Sequence, residues 1–181
     1  MTEWWQVIVC WVLRRDSSRV REVMATLIKT TTGDRSDSVR GFVADFCDFD
    51  AVRQFAGEVI DALDGKQDLT GLINNAGVYE KQLFKSGGLE KTWKVNVASP
   101  YLLTSLLINT VLRERVINVA SISASNSIDF GNLQQVTVKT SPAYYSWLLL
   151  LTTKPLLHKI SGAWIFISWS VFSLKALQYY V

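Results

Sequence analysis

Short apolar runs alternate with amphipathic stretches along most of this chain. Runs rich in β-branched and aromatic residues are typical of buried strands, and stretches with apolar residues at helical spacing are typical of helices packed on a sheet. The predicted strands lie near residues 6–13, 39–44, 69–73 and 115–120. Alternation of strands with helices predicts an α/β fold, with a parallel sheet and flanking crossover helices.

The second predicted helix has the clearest pattern. Its apolar residues recur at intervals of three and four, which places them on one face, and Asp48 or Asp50 can cap its first turn. These residues are Val52, Phe55, Ala56, Val59, Ile60 and Leu63. A first helix is predicted from a cap at residues 16–18 to about residue 31. A third is predicted from about residue 89 to 97, continuing after Pro100 to residue 112.

Composition narrows the possible classes of protein. The chain has 181 residues, which suits a single domain, and its formal net charge of +3 argues against a dedicated nucleic-acid binder. Cys10 and Cys47 lie in apolar surroundings without metal-ligand spacing, and His158 is the single histidine, so we expect no metal site. Reduced core cysteines and the absence of a basic leader favour an intracellular location, either cytoplasmic or peripheral to a membrane.

The predicted third strand is followed directly by Asn74-Asn75-Ala76-Gly77. The carboxyl ends of parallel strands form the ligand-binding edge of open α/β sheets. The two amides can tie neighbouring strands or turns, and Gly77 lets the backbone approach a ligand closely. Asn and Gly are also ordinary turn residues, so the tetrapeptide alone leaves a plain strand-to-loop turn open.

Several motifs together resemble the short-chain dehydrogenase/reductase family, most closely its retinol-dehydrogenase-like branch. The resemblance covers about residues 6 to 145. It rests on Asp45, on the Asn74–Gly77 motif, on Asn96 within Lys-Val-Asn-Val, on Arg115-Val-Ile-Asn-Val-Ala-Ser121, and on the segment 128–134. The family fold is Rossmann-like, and its members transfer hydride between a nicotinamide cofactor and a carbonyl or alcohol.

The resemblance assigns catalytic roles to three residues. Ser121 would donate to the substrate oxygen, Asn96 would hold a water for proton relay, and Tyr144 would be the proton-transferring tyrosine. Hydroxyl donors aimed at the developing oxyanion stabilise such a transition state. A solvated strand-end serine and a helix-surface amide are the plainer interpretations of Ser121 and Asn96. Ser123 is a weaker candidate for the serine.

The cofactor-binding residues implied by the resemblance are Arg15, Asp45, Asn74, Asn75, Ala76 and Gly77. Asp45 matches the aspartate that contacts the adenine ring. Arg15 follows Arg14 at the end of the first predicted strand, where a guanidinium suits a ribose phosphate and a carboxylate would suit free hydroxyls. The sequence therefore favours NADP over NAD, although adjacent arginines also occur as a solvated pair.

Two departures from the family pattern predict impairment. No glycine precedes Gly33, so we expect no counterpart of the family's first strand and glycine-rich pyrophosphate loop, an incomplete sheet and weak cofactor binding. The family's lysine would lie four residues after its tyrosine, but Leu148 follows Tyr144 at that spacing. A tyrosine without that ammonium group is a poor acid at neutral pH.

The last part of the chain differs in composition. Residues 130–181 contain no Asp or Glu, and we divide the chain into a partial Rossmann-like domain (1–145) and a divergent hydrophobic tail (146–181). The uncharged stretch 160–174 is shorter than the ~20 residues of a spanning helix, so it would contact a membrane surface or dock on the core. A frameshift, a retained intron or an alternative exon would also explain the change.

Two functions remain open. The first is an NAD(P)-dependent oxidoreductase acting on a small apolar carbonyl or alcohol, impaired in this chain. The alternative is a catalytically silent family fragment or isoform that binds a protein partner or a membrane.

Overall fold

The computed structural model describes residues 7–11, 17–30, 39–63, 68–78, 83–121, 130–132 and 167–169. The strands are β1 (Val7–Trp11), β2 (Val39–Val43), β3 (Leu69–Asn74), β4 (Lys85–Ser86), β5 (Leu89–Glu90), β6 (Leu112–Ser121) and β7 (Ile167–Trp169). The helices are α1 (Ser17–Thr30), α2 (Phe49–Ala62), α3 (Lys91–Trp93) and α4 (Ser99–Ile108), with a π-helical segment at Lys94–Ala98 and a 3₁₀ turn at Phe130–Asn132. The predicted α/β class is confirmed.

The larger strands run parallel to their neighbours. β1 pairs with β2, while β6 lies between β3 and β7. Among the residues that the structure describes, no ladder joins β1 to β3, and the expected defect in the sheet stays a prediction. Three residues of the hydrophobic tail take part in the sheet, because Ile167–Trp169 pairs with Val119–Ser121.

Helix α2 forms as its apolar pattern predicts. Asp48 is its N-cap, and its carboxylate accepts a hydrogen bond from the backbone N–H of Asp50 at 2.9 Å. The apolar face is buried against α4 and against the end of β2, where Phe42 packs on Phe55 with ring centroids 5.8 Å apart. Because its apolar face is buried on both sides, α2 connects the β1–β2 pair to α4.

The third helix differs from its predicted bounds. Leu89 and Glu90 belong to the β4–β5 hairpin, which turns at Gly87 and Gly88 with φ of 59° and 81°. The helix then begins at Lys91 and ends at Ile108, four residues before the predicted end. Leu112 instead opens β6 opposite Leu69. The predicted cap at residue 16 lies outside the described residues, and α1 begins at Ser17.

A π-helical segment interrupts this helix just before Pro100. Proline has no N–H for the carbonyl four residues earlier, which here is that of Asn96, and its ring crowds that carbonyl. The N–H of Ser99 bonds instead to the carbonyl of Lys94, five residues back. The wider turn therefore lies where proline prevents regular α-helical bonding, and Asn96 is at its centre.

Candidate functional site

The carboxyl ends of β2 and β3 meet at one region of the third helix. After β2, the carbonyl of Phe46 accepts a 2.7 Å hydrogen bond from the buried hydroxyl of Ser99. After β3, the backbone of Val78 bonds to Asn96. Asn96 and Ser99 are three positions apart on the same helix, and β6 runs parallel to β3. The structure thus brings the strand ends that carry Asp45, Asn74 and Ser121 to one edge.

Asn96 holds the turn after β3 by two hydrogen bonds. Its Oδ1 accepts from the N–H of Val78, and its Nδ2 donates to the carbonyl of the same residue, both at 2.8 Å. The side-chain amide thus exchanges a pair of hydrogen bonds with the backbone, as a neighbouring β-strand does. The observed role of Asn96 is therefore to position the turn, and its predicted role in holding a water stays a prediction.

Asn74 is buried and lies in a polar network between three elements. Its Nδ2 donates to Asn118 Oδ1 at 2.8 Å and to Thr104 Oγ1 at 3.2 Å. Thr104 Oγ1 in turn donates to the carbonyl of Pro100 at 2.7 Å. These bonds connect β6, β3 and α4, as the sequence predicts for an amide that ties neighbouring strands.

Sequence reasoning missed Asn118 and Thr104. Asn118 is the one polar residue between Val116 and Ala120, Thr104 follows two leucines in α4, and both are buried. Buried polar side chains are almost always hydrogen-bonded, so such residues within apolar runs indicate a network even when the partner is distant in sequence. Ser99, which is also polar and buried, was missed as well.

The turn that follows Asn74 offers polar and open positions to a ligand. Asn75 has a buried Oδ1 that accepts no hydrogen bond from the described residues. Ala76 packs against the core, and Gly77 is exposed. A Cβ added at Gly77 would have only Asn96 within 4 Å, at 3.6 Å from Oδ1, which is ordinary contact. The residues at this turn therefore fit a polar ligand that approaches the backbone closely.

Asp45 organises the turn after β2. Its Oδ1 accepts a 2.8 Å hydrogen bond from the N–H of Cys47, and its carbonyl accepts one from the N–H of Asp48. Burial, followed by the negative charge of Asp45, raises the pKa of the Cys47 thiol, and Lys91 and Lys94 oppose this change. Cys47 is therefore a protonated thiol at neutral pH and a poor nucleophile.

Ser121 is the last residue of β6, and its backbone lies beside Trp169 of β7. The remaining candidates, Arg15 and Tyr144, lie outside the described residues, as do Ser123 and Leu148. The structure therefore brings together the strand ends of Asp45, Asn74 and Ser121, and it leaves Arg15 and Tyr144 as predictions.

The described residues contain neither a metal site nor a membrane-spanning helix. No group of three or more His, Cys, Asp or Glu side chains there could hold a metal ion. Within the same residues, every helix is too short or too polar to cross a membrane.

Comparison with known proteins gives a family match. The model of the family described as short chain dehydrogenase matches residues 7–132. The chain is also similar to the dehydrogenase/reductase SDR family member FEY of Arabidopsis thaliana, with 33% identity over 118 residues. That match covers 62% of this chain and 30% of the relative, so the chain spans under a third of its length.

Solved structures share the fold. A protein from Mycobacterium Paratuberculosis gives a TM-score of 0.64 at 24% identity, with 96% of this chain and 63% of the other covered. A metagenomic short-chain oxidoreductase in complex with NADP gives a TM-score of 0.63 at 21% identity, with 94% and 73% covered. At such identities the likeness supports the fold alone.

Proposed function

We propose that this chain, which belongs to the short-chain dehydrogenase family, carries at its carboxyl edge the nucleotide site of a carbonyl/alcohol oxidoreductase, with catalysis impaired. The observation that carries the proposal is the paired contact between Asn96 and Val78. It holds the turn at Asn75–Gly77 beside the strand end of Ser121, where open α/β sheets bind their ligands.

The proposed cofactor is NADP, with NAD as the weaker choice. Asn75 Oδ1 and the open face at Gly77 fit a polar ligand at this edge. Asp45 would contact the adenine, and Arg15 would contact the ribose phosphate. The NADP complex of the metagenomic oxidoreductase with the same fold supports this choice. The absence of any glycine before Gly33 supports weak binding, because a glycine-rich loop normally cradles the pyrophosphate.

The bound nicotinamide would supply the hydride chemistry, and the chain would supply placement and proton donors. We assign to Ser121 a hydrogen bond to the substrate oxygen, and to Tyr144 the proton transfer. Leu148 stands four residues after Tyr144, where the family has a lysine. A tyrosine hydroxyl without that lysine is a poor acid at neutral pH, which is the reason for proposing impaired turnover.

The substrate that we propose is a small apolar carbonyl or alcohol, in keeping with the retinol-dehydrogenase-like branch. Only the resemblance of segment 128–134 and of the other motifs supports that branch. Within the segment, Phe130–Asn132 forms a 3₁₀ turn.

The alternative is a catalytically silent family member that binds a protein partner or a membrane. Leu148 and the lack of a glycine before Gly33 favour this catalytically silent alternative. For the tail, pairing of Ile167–Trp169 with β6 supports docking of those residues on the sheet over insertion in a membrane. NADPH binding by the purified chain separates the two functions.

The site itself can be tested by chemical-shift mapping of the ¹⁵N-labelled full chain with millimolar NADPH. We expect the amides of Gly77 and Val78 to shift and those on the exposed face of α2, such as Arg53, to stay in place. Gly77→Ala should reduce the shifts, because the added methyl group would contact Asn96, whose amide holds this turn, and would restrict the backbone that the ligand approaches.

Gly57→Ala is the matched control. Its added Cβ has nothing within 4 Å, and alanine favours the helix, so ligand shifts should be unchanged. Shifts that appear only at residues away from the carboxyl edge would contradict the proposed site.

A further inference from the structure

The ladder between β3 and β6 changes register near its start. Leu69 pairs with Leu112, but Gly71 pairs with Arg115, so two steps along β3 match three along β6. One extra residue of β6 is accommodated here, as in a β-bulge. Beyond it the pairing is regular and reaches Asn74 opposite Asn118.

An uninterrupted ladder would shift the end of β6 by one residue relative to β3. Continued from Leu69 and Leu112, it would place Asn74 opposite Ile117. Ser121 would then move along the sheet by one residue, about 3.3 Å, and the two faces of β6 would exchange. The position of Ser121 therefore depends on which register forms.

Buried polar contacts accompany the observed register. The side chains of Asn74, Asn118 and Thr104 are 7%, 4% and 0% exposed. Asn118 Oδ1 accepts from Asn74 at 2.8 Å, and Thr104 accepts from the same amide at 3.2 Å. In the uninterrupted register Asn118 would leave this face, and Asn74 would lose the closer of these partners. A buried donor without its acceptor is costly, so the network selects the observed register.

We propose that Asn118 is a positioning residue: through Asn74 and Thr104 it selects the register of β6 and thereby sets the place of Ser121. The inference rests on the proposed function only in assigning a catalytic role to Ser121. The register itself needs neither cofactor nor turnover, so its test can fail while the proposed function stands, and the reverse is also true.

Disulfide trapping in the full chain reports the register. The pair Ile73→Cys and Ile117→Cys joins residues opposite each other in the observed register, and Ile73→Cys with Val116→Cys joins those of the uninterrupted one. Neighbouring strands are about 4.8 Å apart, within disulfide reach. The proposal expects the ratio of the first cross-link to the second to fall about tenfold in Asn118→Leu, which corresponds to about 1.4 kcal/mol.

Thr104 provides a milder pair of variants if Asn118→Leu fails to fold. Thr104→Val removes the hydroxyl and should lower the ratio, whereas Thr104→Ser keeps it and should restore the ratio. Val59→Ala, in the apolar core on α2, controls for destabilisation alone and should melt earlier with an unchanged ratio. Folded Thr104→Val or Asn118→Leu chains that keep the parent ratio would overturn the proposal.

Discussion

The side-chain amide of Asn96 lies against the backbone of Val78 and makes two hydrogen bonds with it, each 2.8 Å long. This contact fastens the turn after β3 to the π-helical segment that precedes Pro100. It ties the shape of the proposed cofactor edge to the irregular part of the helix. Changes at Asn96 should therefore affect both stability and the order of the turn.

Asn96→Ala should lower the free energy of unfolding by about 1–3 kcal/mol, because it leaves the N–H and carbonyl of Val78 without their partner. Urea unfolding measures this change. Asn109→Ala is the control, since Asn109 is exposed and bonds within its own helix, and it should change stability by less than about 0.5 kcal/mol. Equal changes in the free energy of unfolding for the two substitutions would show that the contact with Val78 stabilises the fold no more than the exposed bond of Asn109.

Reactivity of Cys47 should follow from its surroundings. Burial and then the charge of Asp45 raise the pKa of the thiol, so the pH–rate profile of its alkylation should lie at higher pH than that of a free cysteine. Asp45→Asn removes one of these causes and should shift the pH–rate profile, read by mass spectrometry, to lower pH. A profile that does not move would mean that Asp45 has no electrostatic effect on the thiol.

The same shift predicts an effect on stability. Above the ordinary thiol pKa the unfolded chain loses this proton first, so the folded state binds more protons and stability falls as pH rises. Below that pKa the thiol is protonated in both states and contributes no pH dependence. Cys47→Ser should therefore flatten the alkaline decline in thermal stability, and an equally steep decline in the variant would contradict this.

Turnover by the unmodified chain should be undetectable with NADPH and either retinal or simple aldehydes, measured by NADPH absorbance. Leu148→Lys should not restore it, because groups that act as a unit are non-additive and this chain has no glycine before Gly33. Activity in the unmodified chain that disappears in Ser121→Ala would refute impairment and favour a working enzyme.

Local patterns predicted much of the fold. The interval of apolar residues from Val52 to Leu63 predicted α2 and its buried face, and Asp48 caps it. The third helix was harder to bound, because apolar residues continue from Leu107 to Leu112 and conceal the change from helix to strand. Pairing of Leu112 with Leu69, which is distant in sequence, decides that boundary.

The site could be predicted in part. Motifs indicated Asp45, Asn74 and Ser121 at strand ends. The β3–β6 ladder brings the ends with Asn74 and Ser121 together, and the bond of Ser99 to Phe46 brings the turn after β2 to the same helix as Asn96. The contact of Asn96 with Val78 and the network of Asn118 were not predicted. Both depend on packing between elements that are far apart in sequence, and a local pattern does not contain that information.

NADPH affinity of the purified full chain, measured by isothermal titration calorimetry, tests the central claim most directly. The chain has the turn at Gly77 but no glycine before Gly33 to form a pyrophosphate loop. The account predicts a dissociation constant above about 1 mM, equivalent to less than about 4 kcal/mol of binding free energy. A micromolar dissociation constant would contradict it, because another segment would then have to supply the cradle.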